Sequence, residues 1–306
     1  MKIIDAFIFF NEIDTLKIRL SLLYDKVDQF VLCESNITHS GQTKTYNFLE
    51  HQNEFLPWAD KITYLQYEPD ISHLDFTKKD EAYNPSSASW QIETGQRNYL
   101  GSYINNLNPE DLVMVCDVDE IWNPTFADFI RSDQYELDAA RMEMQFHHYF
   151  LNCVGISQSN SKWIHAFCAK ASYLKAKPNI SQIRVGEQLP IIAGVGWHFS
   201  YLGGTEKISE KINAFAHQET NTAEINNLRH LENCINLGID HLGRPDHEWA
   251  FHPVGYYPPE IRAEMEKFPH LIKKSLIKFI PCLTTHHSPL RLFLVTMMGP
   301  LRFRPF

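Results

Sequence analysis

Residues Leu112 to Glu120 read Leu-Val-Met-Val-Cys-Asp-Val-Asp-Glu. An unbroken apolar run of strand length reads as a central parallel strand covered on both faces. It ends in an Asp-x-Asp-Glu cluster. Side chains two apart in a strand share a side, so Asp117 and Asp119 are expected to converge just past the carboxyl end of the strand, where open α/β sheets bind ligands. Glu120 would then point the other way and hydrogen-bond the turn. Two carboxylates at a poorly solvated site repel each other. A hard divalent cation with oxygen ligands, Mn²⁺ or Mg²⁺, relieves that repulsion and can also hold a diphosphate. This is the chemistry of nucleotide-sugar transfer. An aspartyl-phosphatase reading fits less well, because it wants Thr two residues after the second Asp and Ile121 stands there.

Working outward, strand-like runs occur at residues 3–10, 30–34 and 62–67, with connections long enough for helical crossovers. Ile13, Leu16, Leu20 and Leu23 make a helical stripe over residues 12–24, and residues 90–104 form a second candidate helix. Alternation of this kind predicts a parallel sheet. After Pro124 the pattern loosens into strand-like stretches at 141–150, 163–169 and 195–199. Helical patterns follow at 206–236 and 260–280. The nucleotide-binding half is therefore expected over about 1–124 and an acceptor half over 125–266.

The chain has 306 residues, 44% of them hydrophobic and 21% charged, ordinary values for a globular protein. Its net charge of −9 argues against nucleic acid as a partner. The charge is uneven: residues 267–306 hold seven Lys or Arg and no acid. Leu271, Ile272, Leu276, Phe279 and Ile280 lie near one helical face of that tail. It suits either an anionic membrane surface or a cover over the acidic main domain. Cys33, Cys116, Cys153, Cys168, Cys234 and Cys282 show no paired spacing, which favours a reducing compartment. Charge interrupts the first residues too early for a signal peptide, and no eighteen apolar residues run together. A cytoplasmic protein, in contact with the cytosolic face of a membrane if the tail is an anchor, is the expectation.

Several blocks together resemble glycosyltransferase family 17: Phe9-Phe10-Asn11-Glu12, Val27-Asp28 through Glu34-Ser35-Asn36, Gln96-Arg97-Asn98, Asp117-Val118-Asp119-Glu120 and Gly196-Trp197-His198-Phe199-Ser200. The resemblance spans residues 3 to 235. It implies an α/β fold of GT-A type, a Rossmann-like, mostly parallel sheet flanked by helices, followed here by a mainly helical C-terminal region. It also implies a UDP-sugar donor, UDP-N-acetylglucosamine, inversion at the anomeric carbon, and a glycan or glycolipid acceptor.

Within that frame Asp119 is the expected direct metal ligand, and Asp117 the contact to ribose or a metal-bound water. His198 completes the metal site or packs as a core histidine beside Trp197, with Gly194 and Gly196 permitting close backbone approach to a ligand. Glu34, Ser35 and Asn36 stand at a strand end where a nucleotide docks, loop capping being the plain alternative for the last two. Asn11 meets the nucleotide or caps a helix. Arg97 meets phosphate or makes a structural ion pair. Glu206 is the expected base, with helix N-terminal stabilisation as its plain alternative and Glu143, Glu187 and Asp246 as other carboxylates. His147-His148 and His286-His287 look metal-like, but adjacent histidines point apart in a strand. Two other readings compete with transfer. The intact Asp-x-Asp-Glu disfavours a non-catalytic nucleotide-sugar or glycan-binding protein of the same fold, and the lack of a dense His/Asp cluster disfavours a two-metal phosphodiesterase.

Overall fold

The computed structural model describes residues 1–78, 82–132 and 135–274. The strands are β1 (Ile3–Phe9), β2 (Gln29–Ser35), β3 (Ile62–Tyr67), β4 (Leu112–Asp117), β5 (Glu120–Trp122), β6 (Ala139–His148), β7 (Cys153–Gly155), β8 (Lys162–Trp163), β9 (Phe167–Lys170), β10 (Ile191–Ser200) and β11 (Trp249–Phe251). The chain forms two compact units. The first comprises residues 1–144, 164–197 and 214–219, and the second residues 145–163, 198–213 and those from 220 on.

In the first unit β3, β2, β1 and β4 lie side by side in that order, all parallel. Register pairs Ile8 with both Cys33 and Asp117, so the carboxyl ends of β1, β2 and β4 open onto one edge. Antiparallel β9 lies against β4, and the start of β6 against β9. Every residue of β1 and the first five of β4 are buried, the charged Asp5 of β1 among them. One face of this sheet packs Ile4, Val31, Val113, Val115, Phe167 and Ala169 against Leu100, Ile104, Leu174, Ile180 and Ile183. The helices are Ile13–Leu23, the short Asn47–Glu50, Ala88–Tyr99 with a short continuation at Gly101–Ile104, Pro124–Ile130, Ala171–Ala176 and Ile180–Gly186. The expected α/β architecture is present, with four parallel strands, β3, β2, β1 and β4, extended beyond β4 by antiparallel ones. The strand expected at 163–169 is divided between β8 and β9. Cys33, Cys116 and Cys168 are buried thiols that behave as small hydrophobes.

In the second unit β7 pairs antiparallel with the end of β6 and with β11, around a core of Phe146, Cys153 and Trp249. The mainly helical C-terminal region is not confirmed. The described residues hold the helices Gly204–Ala214, Leu228–Leu237 and Pro259–Glu266, separated by loops, single 3₁₀ turns and β11. Most of the tail, residues 275–306, lies outside the described residues, and with it the greater part of the expected interfacial helix. Its first residues are built into the second unit. Leu271 is buried and its carbonyl accepts from the amide of Leu151 at 2.9 Å. Lys273 bonds Asn152 through its backbone and lies over the rings of Phe150 and Phe251. Among the described residues no helix is long and apolar enough to cross a membrane.

Candidate active site

Strand β4 stops at Asp117. Val118 and Asp119 form a turn and Glu120 opens β5. Strand alternation therefore does not carry through Asp119 as expected from the pattern, because a turn interrupts the strand after Asp117. What holds the turn is Arg19, from the helix Ile13–Leu23. Its guanidinium is wholly buried and donates through Nη1 to the carbonyls of Asp117 at 3.1 Å, Val118 at 3.3 Å and Glu120 at 2.7 Å. Its other edge meets Asp5 of β1 in two hydrogen bonds, Nε to Oδ2 at 2.7 Å and Nη2 to Oδ1 at 2.5 Å. The indole Nε1 of Trp122 donates to Asp5 at 3.0 Å. Burial opposes the cation, and the adjacent Asp5 carboxylate keeps it protonated. A buried planar fork can satisfy a carboxylate and several carbonyls together, which lysine cannot.

A chain of alternating charges runs across the turn. Arg97 Nη1 donates to Glu93 at 2.9 Å and Nη2 to Asp117 Oδ1 at 2.8 Å. Arg184 Nη2 donates to Asp117 Oδ2 at 2.8 Å and to Glu120 Oε1 at 2.6 Å, and its Nη1 to Glu120 Oε2 at 2.9 Å. Glu120 Oε2 also accepts the Asp117 amide at 2.7 Å, closing the turn from inside. Arg184 is fixed from behind. Arg141 donates to the carbonyls of Ile183, Arg184 and Glu187 at the carboxyl end of the helix Ile180–Gly186, where helical carbonyls run short of intrahelical donors.

Burial raises the Asp117 carboxyl, but Arg184 and then Arg97 outweigh it and bring it down to about 2. The unfolded carboxyl titrates near 3.8. The sign follows: this contribution to stability is fully present above that value and is lost as pH falls through about 2. It amounts to about 2 kcal/mol. Urea midpoints measured from pH 5 down to pH 2.5 should fall more steeply in the wild type than in Asp117→Asn, and parallel slopes would remove the pair from the account of acid stability.

The other expected site residues separate. Glu34 is fully buried and accepts from Lys44 Nζ, the amides of Asn47 and Phe48, and the Tyr64 hydroxyl. Its oxygens are committed to the loop after β2. Ser35 accepts the Ile37 amide, an ordinary loop bond. Asn11 does not cap its helix: the Glu12 carboxylate accepts the amides of Phe10 and Asn11 instead. The Nδ2 of Asn11 and the Oδ1 of Asn36, at the ends of β1 and β2, are buried atoms with no protein partner. Buried amide groups in that state mark where a polar ligand or ordered water belongs. Arg97 makes the ion pair set against phosphate binding. Gly196 does permit a close approach, but to β5 and not to a ligand: a Cβ there would come within 2.5 Å of the Ile121 carbonyl.

His198 belongs to the second unit, where its ring stacks on Phe146 at 4.9 Å and meets Trp163 at 4.2 Å. Glu206, exposed in the first turn of the helix Gly204–Ala214, lies in the same unit. Asp5, Arg19, Glu93 and Arg184 were missed. The signal was available for two of them, since Asp5 interrupts the apolar run of β1 and Arg19 lies beside the apolar stripe of the next helix.

The residues around the turn fit a divalent cation by charge. Glu93, Asp117, Asp119 and Glu120 outnumber Arg97 and Arg184 by two, and Asp119 is close enough to act on the Asp117 carboxyl. Both Asp117 oxygens are engaged by guanidinium groups, and Asp119 beside it is only 5% exposed.

The sequence profile of glycosyltransferase family 17 matches residues 1–274. Two curated relatives are the β-1,4-mannosyl-glycoprotein 4-β-N-acetylglucosaminyltransferases of rat and human, each 28% identical over 128 residues, or 39% of this chain. That stretch covers 21% of the rat protein and 22% of the human one, so the chain spans about a fifth of the length of the curated relatives it matches. Among solved structures, Staphylococcus aureus TarS 1-349 in complex with UDP-GlcNAc is 11% identical with a TM-score of 0.35, over 79% of this chain and 70% of that one. The galactosyltransferase LgtC, solved with donor and acceptor sugar analogues, is 11% identical with a TM-score of 0.28, over 46% of each chain. Both are weak likenesses.

Proposed function

The chain belongs to glycosyltransferase family 17, and from that premise we propose that it transfers N-acetylglucosamine from UDP-N-acetylglucosamine to a hydroxyl of a glycan or glycolipid, with inversion and with help from Mn²⁺ or Mg²⁺. The observation that carries the reading is the Asp117–Glu120 turn. It stands at the ligand-binding edge of a parallel sheet and is held rigid by Arg19 from below and by Arg97 and Arg184 from the sides. The curated relatives carry N-acetylglucosaminyltransferase in their names, which supports the donor.

In this reading Asn11 and Asn36 use their unpartnered amide atoms to receive the nucleotide at the ends of β1 and β2. Asp119 holds the cation, and Asp117 keeps its distance from it, fixed between two guanidiniums. The bound cation supplies positive charge to the departing diphosphate. Glu206 takes the proton from the acceptor hydroxyl as that oxygen attacks the anomeric carbon. A base acts on the acceptor alone, so Glu206→Gln should lower turnover about 10²-fold while leaving UDP affinity unchanged. Unchanged turnover in that variant moves the role to another carboxylate.

The experiment for the whole reading is release of UDP from a donor panel with Mn²⁺ present. UDP-N-acetylglucosamine should outcompete UDP-glucose and UDP-galactose, and an added glycan acceptor should raise the rate. Preference for a GDP-sugar, or no release from any donor, overturns it.

A further inference from the structure

The second unit contains a buried polar cluster that the transfer reading does not use. Strand β6 ends at His148, and the next residue, Tyr149, takes φ 66, a left-handed conformation unusual for an aromatic side chain. Some 90 residues later the helix Leu228–Leu237 ends on Gly238 at φ 60, and Ile239, Asp240 and His241 follow. Tyr149 ties the two segments together: its hydroxyl donates to the Ile239 carbonyl at 2.7 Å and accepts the His241 amide at 2.9 Å. The result sets His148 Nε2 at 3.3 Å from His241 Nδ1 and 3.9 Å from Asp240 Oδ1. All three side chains are at most 1% exposed, and one ligand atom from each lies within 4.8 Å of the others.

The inner nitrogens, His148 Nε2 and His241 Nδ1, face one another across 3.3 Å. On the outer side of the rings, His148 Nδ1 and His241 Nε2 are buried with no protein partner. With a cation between the inner nitrogens, both inner lone pairs face it and each ring carries its hydrogen on the outer nitrogen, where ordered water can take it.

The spacing agrees with this. Two nitrogens each about 2.0–2.1 Å from a tetrahedral ion stand about 3.3 Å apart. Asp240 is oriented by Arg244, whose Nε and backbone amide each reach Oδ2 at 3.0 Å and whose Nη2 reaches Oδ1 at 2.6 Å. Arg244 thus engages both Asp240 oxygens, and hydrogen bonding of this kind orients a carboxylate that binds a metal. We propose that His148, Asp240 and His241 form a metal site for a borderline divalent ion of the Zn²⁺ class, which pins the end of β6 to the segment after the helix Leu228–Leu237. Two imidazoles and one carboxylate select such an ion over Mg²⁺ or Ca²⁺, which prefer oxygen.

The test uses the full chain without a histidine tag, stripped with chelator and titrated with Zn²⁺ and separately with Co²⁺. The expected result is uptake of about one ion per chain, the visible absorption of four-coordinate Co²⁺, and a thermal midpoint that rises with free Zn²⁺. His241→Gln and Asp240→Asn should abolish uptake. Asp119→Asn should retain it, which separates this site from the proposed donor site. If the first two variants fail to fold, the wild-type titration still decides. A folded wild type that takes up no ion, or uptake that survives both substitutions, overturns the proposal.

Discussion

Arg19→Leu should cost about 3–5 kcal/mol of stability, the amount typical of stranding one partner of a buried ion pair. That is a large share of the about 5–15 kcal/mol that holds an ordinary domain together. Leucine removes the only described cation bonded to Asp5 and leaves the carbonyls of Asp117, Val118 and Glu120 without the donor they share. Asp5 would keep the Trp122 indole hydrogen bond, which cannot compensate a full negative charge. The measurement is the urea midpoint, with Asp5→Leu/Arg19→Leu as the decisive companion. If the stranded charge is the cause, the double variant should recover much of the loss, because it buries no uncompensated carboxylate. A double variant no more stable than Arg19→Leu would assign the loss to the three carbonyls or to packing. Arg19→Lys keeps the charge but not the fork. It should retain more stability than leucine and still lower turnover, since one ammonium cannot hold Asp5 and brace the turn together.

The parallel sheet was legible because β1, β2 and β4 are mostly apolar runs of strand length separated by crossover-length segments, the pattern of strands buried on both faces. The position of the acidic turn was legible for the same reason. Its internal geometry was not. Alternation predicts side-chain directions only while the strand continues, and here it stops at Asp117 because Arg19, 98 residues away in sequence, draws the next carbonyls inward. Arg97 shows the same limit. An arginine before an acidic strand end reads equally well as a phosphate ligand or an ion-pair partner, and what decides is Glu93 one helical turn earlier together with Asp117. Arg184 had no local signal, since its role depends on a helix that Arg141 anchors from another strand. The histidines went the other way. His147 and His148 do point apart, as a strand requires, His147 toward Tyr257 and His148 toward His241. Adjacency in sequence was the wrong place to look for a second ligand, because the partner of His148 lies 93 residues further on.

Asp119→Asn should have the largest effect on chemistry and a small one on the fold. The substitution keeps size and hydrogen-bonding capacity while removing one unit of charge. Arg19, Arg97, Arg184 and Glu120 all bond the turn, and the substitution removes none of these side chains. The expected outcome is a thermal midpoint within a few degrees of the wild type and a fall of at least about 10²-fold in Mn²⁺-stimulated UDP release, the scale seen when a site loses a group that stabilises developing charge. Asp117→Asn should behave differently. Without that carboxylate, Arg97 and Arg184 lose the negative charge both of them bond, and Arg184 already disfavours the charge on Arg97. Stability should then fall along with turnover. The two aspartates thus separate by their effect on the fold: activity lost alone at Asp119, activity and stability lost together at Asp117. Calorimetry and UDP release on the same preparations read both. Full Mn²⁺-dependent turnover in Asp119→Asn would remove this residue from the cation site, and an Asp117→Asn variant as stable as the wild type would mean that the two guanidiniums do not depend on it.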